Sequence, residues 1–267
     1  MPAVTEPGPL ALVGGDELKP GNEPQDRVLV EAAGGGPAFV LATAAGRQRP
    51  GMAVANAVRW FGDLGLEVHE LPATTRTQAK ARTNVEAALG GRLFYLVGGD
   101  PGLVPKTLAD TPLWGAIVEA WRGGAALAGS SAGAMAFGAW TLIKERMPGD
   151  ERRRYAPALG LVPNVAVLPH FETFGHRWVD SALASAPAGD VTLLGIDERT
   201  AALWRPGGWT ALGDGGVAVI ANGATNRFAS GEPIDGVPEP MRRGHPPRDV
   251  SPLADQGSDK DREPRRR

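Results

Sequence analysis

Residues 125–136, AALAGSSAGAMA, set two serines among glycines and alanines in a pattern that could present one hydroxyl as a nucleophile. The apolar run 125–128 leads into Gly129-Ser130-Ser131-Ala132-Gly133, and small helix-forming residues follow. That order specifies a buried strand, a sharp turn and a helix start with one hydroxyl at the bend, the layout of a nucleophile elbow. So tight a turn needs glycine two places before and two places after the serine, because a side chain at either would strike the neighbouring strand or helix. Ser131 has both glycines in register and Ser130 has neither, so Ser131 is the candidate nucleophile. With 37 glycines in the chain, a G-x-S-x-G arises by chance in about one such chain in eight. The rest of the sequence must therefore decide between a nucleophile and a plain strand-to-helix connection.

A serine hydroxyl needs a base to take its proton, and the base needs an acid that fixes the imidazole tautomer. The chain has 4 histidines. His69 falls in mid-strand, His245 lies in the tail, and His176 sits in a polar stretch. His170 alone follows an apolar run, 165–168, directly. For the acid, Asp197 and Glu198 follow a second apolar run, and adjacent residues of an extended chain face opposite ways, so at most one can face the site. Asp150 and Glu172 are further carboxylates on loops. The order nucleophile, acid, histidine of α/β-hydrolases would require His245, which leaves the order serine, histidine, acid.

Several elements must position these residues. Residues 9–13, 39–42, 66–71 and 92–97 read as strands, and 25–33, 51–64, 77–89 and 112–121 as helices. Strands alternating with helices predict an α/β domain with a doubly wound, mostly parallel sheet and ligands at the strands' carboxyl ends. Gly14-Gly15-Asp16, Gly98-Gly99-Asp100 and Ser131 all fall at that edge. The charged connection 144–155 is either a solvated loop or a lid whose arginines attract an anionic substrate. Strands at 165–168 and 191–196 follow, and 201–204, 209–212 and 217–220 read as antiparallel strands near the C-terminus. One domain, 9–229, precedes a disordered, charged, Pro-rich tail, 230–267.

Composition removes other classes. With 28 Lys+Arg against 30 Asp+Glu there is no basic field for nucleic acid, and with no cysteine there is no disulfide, thiolate metal site or cysteine nucleophile. No apolar run is long enough to span a bilayer, and residues 1–21 lack a secretory pattern, so a cytoplasmic protein without a membrane partner is expected. No dinucleotide or P-loop glycine motif occurs, and the histidines lack ligand spacing, so neither cofactor nor metal is expected. Nothing in the sequence sets an oligomeric state.

Five segments together resemble the dipeptidase E and cyanophycinase family of serine peptidases, whose domain is similar to class I glutamine amidotransferases. They are LVGGD at 12–16, YLVGGD at 95–100, GSSAGA at 129–134, PHF at 169–171 and GIDERTA at 195–201. GSSAGA and GIDERTA in this order, with PHF between them, are far more specific than the serine turn alone. The resemblance spans residues 10–220 and implies a glutamine amidotransferase-like fold that cleaves a peptide or amide bond of a small peptide. It implies Ser131 as nucleophile, His170 as general base, Glu198 as orienting acid, and the Gly99 and Ala132 amides as the oxyanion hole. True glutamine amidotransferases carry cysteine at the elbow, and this chain has none. It also departs from the family at Asp100 and in ETFGHRW at 172–178, which differs from the longer basic pattern of cyanophycinases. Asp100, His176 and Arg177 are the substrate-binding candidates, with Arg152, Arg153, Arg154 and Arg199 as further cations for a substrate carboxylate. Two other readings use the same residues: an esterase with the same triad, and a non-catalytic module holding a small anion.

Overall fold

The computed structural model describes residues 6–144, 153–187 and 191–241. In its first half four short apolar runs become strands β1 (Leu10–Val13), β2 (Ala38–Leu41), β4 (Leu93–Leu96) and β5 (Ala126–Ser130), and a polar pair forms the short strand β3 (His69–Glu70). All five run parallel, in the order β1-β5-β4-β2-β3. The helices between them are α1 (Glu23–Ala33), α2 (Pro50–Asp63), α3 (Arg76–Ala79), α4 (Arg82–Leu89), α5 (Leu103–Leu108) and α6 (Pro112–Arg122), and α7 (Ala132–Met135) follows β5. Because helices cover both faces, β1, β2, β4 and β5 read as near-continuous small or apolar runs rather than alternating ones. On β1, Leu10 and Leu12 join a core with Ile117 and Trp121 of α6, while Ala11 and Val13 join another with Leu29 of α1 and Phe61 of α2. Each such large side chain, wholly buried, contributes about 1.5–3 kcal/mol. The α/β expectation is met, and the glycine loops after β1 and β4 lie with Ser131 at one edge of the sheet.

The single helix expected at 77–89 is two. A capping box starts α3, with the Thr75 hydroxyl accepting from Gln78 N–H, and the chain then breaks at Lys80–Ala81. The Asn84 side chain bridges the break, donating to the carbonyls of Gln78 (3.0 Å) and Pro72 (2.7 Å). The strand expected at 66–71 pairs only over His69–Glu70, and both residues are exposed.

The second half contains β6 (Gly138–Lys144), β7 (Arg153–Pro157), β8 (Val162–Leu168), α8 (Val179–Ala184), β9 (Thr192–Ile196), β10 (Thr200–Arg205), β11 (Gly208–Gly213), β12 (Gly216–Ala221), β13 (Ala224–Ala229) and β14 (Pro233–Ile234). Strands β10, β11 and β14 extend the first sheet antiparallel beyond β1, as the C-terminal turn pattern suggested. The others form a second, mixed sheet in the order β13-β12-β9-β8-β6-β7. A separate sheet was not foreseen, and the physical reason is the short segment after β5. A parallel return to the same sheet needs a crossover of roughly a dozen residues or more, whereas only α7 and two further residues separate Ser131 from β6. Val165, Val167, Leu194 and Ile196 of the second sheet then pack into the core that holds Leu12 and Leu127 of the first.

Two boundaries differ from expectation. The charged connection 144–155 has its ends in an antiparallel pair, Lys144 opposite Arg153, and residues 145–152, with Asp150 and Arg152, lie outside the described residues. Placing a disordered tail from residue 230 is also corrected: β14 pairs with β11, Trp209 Nε1–H donates to Pro238 O (3.0 Å), and Met241 N–H donates to Leu161 O (2.8 Å). Backbone pairing and two buried residues, Ile234 and Pro240, suffice to order a segment with little apolar content. Among the described residues no helix is long and apolar enough to cross a membrane.

Candidate active site

Between β5 and α7 the chain reverses at Ser131, whose φ of 50° and ψ of −113° lie outside the regions that side-chain-bearing residues ordinarily adopt. Backbone bonds hold it there: its N–H donates to Val13 O (2.9 Å) and its carbonyl accepts from Met135 N–H (2.9 Å). Both flanking glycines are required by close approach. A Cβ on Gly129 would lie 2.6 Å from the Gly133 carbonyl, and one on Gly133 would lie 2.3 Å from Leu96 O. Gly133→Val is therefore expected to destabilise the fold by about 3 kcal/mol or more, since the obstruction is backbone that cannot yield. A urea midpoint equal to that of the wild type would refute this packing.

His170 stands one residue beyond the Pro169 that follows β8, with φ of 49°, and its N–H donates to Gly14 O (2.7 Å). Its ring lies over Gly15, where a Cβ would be 2.3 Å from Cε1, and stacks on Phe174 at 4.8 Å between centroids and 20° between planes. Held on both faces, the imidazole places Nε2 3.2 Å from Ser131 Oγ and Nδ1 2.7 Å from Glu198 Oε1. The tautomer that fits has Nδ1–H donating to the carboxylate and the Nε2 lone pair accepting from the hydroxyl.

Glu198 lies in the turn from β9 to β10, and the neighbouring Arg199, at φ of 53°, donates its N–H to Gly15 O (2.9 Å). The alternation argument resolves in favour of Glu198. Asp197 points the other way, accepting from Gly216 N–H (2.8 Å) and pairing with Arg227. Glu172 accepts the Glu198 N–H through both oxygens (3.0 and 3.1 Å), so it braces that turn. Burial opposes ionisation of Glu172, but the N–H donors of Glu198 and of its own backbone hold it below its ordinary value.

The second glycine loop reaches the serine from β4. A Cβ on Gly98 would lie 3.2 Å from Ser131 Cβ, and Gly99, at φ of 148°, runs so close to Ala44 that a Cβ would meet its carbonyl at 2.3 Å. Among the described residues the amides of Gly99 and Ala132 donate to no protein acceptor. Asp100 is committed locally, its N–H donating to Ala44 O (2.9 Å) and its Oδ1 accepting from Gly102 N–H (2.8 Å). His176 and Arg177 are exposed; the His176 ring bonds the Phe171 carbonyl through Nδ1 (2.8 Å), and among the described residues neither side chain bonds Ser131, His170 or Glu198. Arg199 instead lies near Asp16 and Asp214, at 3.6 and 3.7 Å.

One residue at this edge escaped the sequence reading. Glu17 accepts from Gly98 N–H through Oε1 (2.8 Å) and from the Ser130 hydroxyl through Oε2 (3.0 Å). The only signal was its place one residue beyond the LVGGD run. Behind it, burial pushes the Asp26 carboxyl up to about 7, with a bond from Trp60 Nε1–H opposing and the charges of Glu17 and Glu23 adding to the rise. Burial likewise pushes the Tyr95 phenol well above its usual value.

Known proteins place a chain of this fold among the serine-type peptidases. Residues 10–210 match the model of Peptidase family S51, and the chain belongs to that family. It is 32% identical over 241 residues to a cyanophycinase of Trichormus variabilis, covering 86% of this chain and 78% of that protein. A cyanophycinase of a Nostoc species is 31% identical over 243 residues, with the same coverage. Among solved structures, a peptidase from an acI-B1 actinobacterium superposes with a TM-score of 0.75 at 33% identity, covering 86% of this chain and 98% of that one.

Proposed function

We propose that this peptidase cleaves an amide bond of a small peptide in the cytoplasm through a Ser131-His170-Glu198 triad and an acyl-enzyme. The turn at Ser131 is then a nucleophile elbow on a class I glutamine amidotransferase-like scaffold. Ser131 Oγ attacks the carbonyl carbon as His170 Nε2 takes its proton, and the carbonyl π pair moves onto oxygen. Glu198 keeps the imidazole in the required tautomer and stabilises the imidazolium. The Gly99 and Ala132 N–H groups meet the oxyanion; each such donor is typically worth about 10²–10³ in rate. When the tetrahedral intermediate collapses, the C–N bond breaks and His170 protonates the departing amine. Water, deprotonated by His170, then attacks the ester, and Ser131 recovers its proton as the acid leaves.

The observation that carries this reading is the hydrogen-bonded line from hydroxyl to imidazole to carboxylate, at 3.2 and 2.7 Å. The similarity to cyanophycinases supports a peptide substrate, and Asp100, His176 and Arg177 remain proposed contacts for its polar groups. The test is intact-protein mass spectrometry after treatment with a fluorophosphonate. One adduct on Ser131 is expected, and none in His170→Ala over the same time. A folded wild-type protein that takes no adduct overturns the proposal in favour of a binding module, and an adduct on another serine moves the nucleophile. Peptide and ester libraries then separate a peptidase from an esterase.

A further inference from the structure

Glu17 occupies an unusual place for a carboxylate. It is half-buried beside the reactive serine, and among the described residues no Lys or Arg pairs with it. Its two oxygens are each taken by a different turn of the site: Oε1 by the Gly98 amide, next to the proposed oxyanion donor Gly99, and Oε2 by the hydroxyl of Ser130, next to the proposed nucleophile. Contact is close, since a Cβ on Gly98 would lie 3.1 Å from Oε1 and 3.2 Å from Ser131 Cβ.

The loop that delivers Glu17 is built around this contact. Asp16 and Leu18 on either side adopt φ of 55° and 60°, a conformation that side-chain-bearing residues take at a cost. Buried amides beneath the loop hold it there. The Asn22 side chain donates to Asp16 O (2.9 Å) and Lys19 O (3.1 Å), and Gln25 Nε2–H donates to Asn22 Oδ1 (2.9 Å). Both amide residues are wholly buried. The same carboxylate contributes to the raised Asp26 and Tyr95 values behind it, so it lies within electrostatic reach of the core.

We propose that Glu17 is a positioning residue that clamps the Gly98–Gly99 turn to the Ser130–Ser131 turn, setting the oxyanion donor at a fixed place relative to the nucleophile. It touches neither the reacting carbonyl nor the imidazole. It acts through the backbone of Gly98 and the side chain of Ser130. The inference rests on the acyl-enzyme reading above.

Because phosphonylation by a fluorophosphonate uses the same serine, base and oxyanion donors, its second-order rate constant tests the clamp without a known substrate. Glu17→Ala is expected to slow labelling about 10- to 100-fold, a fraction of or equal to what losing one oxyanion donor costs. Glu17→Gln is expected to stay within about threefold of wild type, because its carbonyl accepts from Gly98 N–H and its amide donates to Ser130 Oγ. A purely electrostatic role would not give this rescue, and a merely structural one would show as a lowered melting temperature in Glu17→Ala that accounts for its slower labelling. Equal losses in the two variants, or undiminished labelling in Glu17→Ala, overturn the clamp while leaving the nucleophile standing. Wild-type protein that takes no adduct on Ser131 overturns the acyl-enzyme reading instead. If Glu17→Ala does not fold, Ser130→Ala carries the test: labelling slowed severalfold at an unshifted melting temperature supports the clamp, and an unchanged rate overturns it.

Discussion

Replacing Ser131 with alanine is expected to lower amide hydrolysis by about 10⁴- to 10⁶-fold, the range seen when a triad serine is removed and only binding and oxyanion stabilisation remain. The melting temperature should stay within a few degrees, because among the described residues the hydroxyl makes one side-chain bond, to His170 at 3.2 Å, and the backbone bonds to Val13 and Met135 persist. A glycine at the same place separates catalysis from strain. At φ of 50° and ψ of −113° the backbone of a side-chain-bearing residue is held at a cost of about 1–3 kcal/mol, which Ser131→Gly relieves in part. Ser131→Gly should therefore be as inactive as Ser131→Ala and measurably more stable. Turnover retained by either variant, measured with a cleaved peptide or a chromogenic amide, would remove Ser131 from the chemistry.

The second large effect concerns stability and pH. Asp26 is wholly buried, and burial raises its pKa from 3.8 to about 7, against the bond from Trp60 Nε1–H at 2.8 Å and with the charges of Glu17 and Glu23. In the unfolded chain the carboxyl ionises near its ordinary value, and in the folded chain it holds its proton until near neutrality. Between those two points the unfolded state binds fewer protons, so folding stability falls as pH rises from about 4 to about 7 and then levels off. A shift of this size corresponds to about 4 kcal/mol. Asp26→Asn keeps an acceptor for Trp60 and removes the charge, so it should flatten that slope and raise the melting temperature at pH 8 by about 5–10 °C. Urea unfolding at pH 5 and pH 8 measures both. Equal pH dependence in wild type and Asp26→Asn would show that Asp26 ionises as readily inside as outside.

The residues proposed to react were legible because each is tied to local chemistry. The turn at Ser131 needs glycine on both sides, His170 follows a core strand, and strand alternation allowed only one of Asp197 and Glu198 to face the site. What stayed hidden depends on pairing between distant segments. The second sheet is a choice of partners made by β6, β8 and β9, and their apolar runs would suit either sheet. The break between α3 and α4 is stabilised by Asn84 reaching the Pro72 carbonyl, 12 residues back. Pro233–Ile234 gains its place from the edge of β11 rather than from its own apolar content. Glu17 carries no spacing signature, since its two partners come from 81 and 113 residues away.

The division into two sheets bears on how the protein can fail. Ser131 ends a strand of the first sheet, His170 follows a strand of the second, and Glu198 rides the turn where the chain passes from the second sheet back to the first. No fragment that keeps one sheet intact keeps both the hydroxyl and the imidazole in register. Loosening of the seam between the sheets would silence the site while most secondary structure survived. Activity lost before circular dichroism changes would thus be the natural first symptom of thermal or chemical damage, and the proposed triad would double as a gauge of whether the two halves are docked.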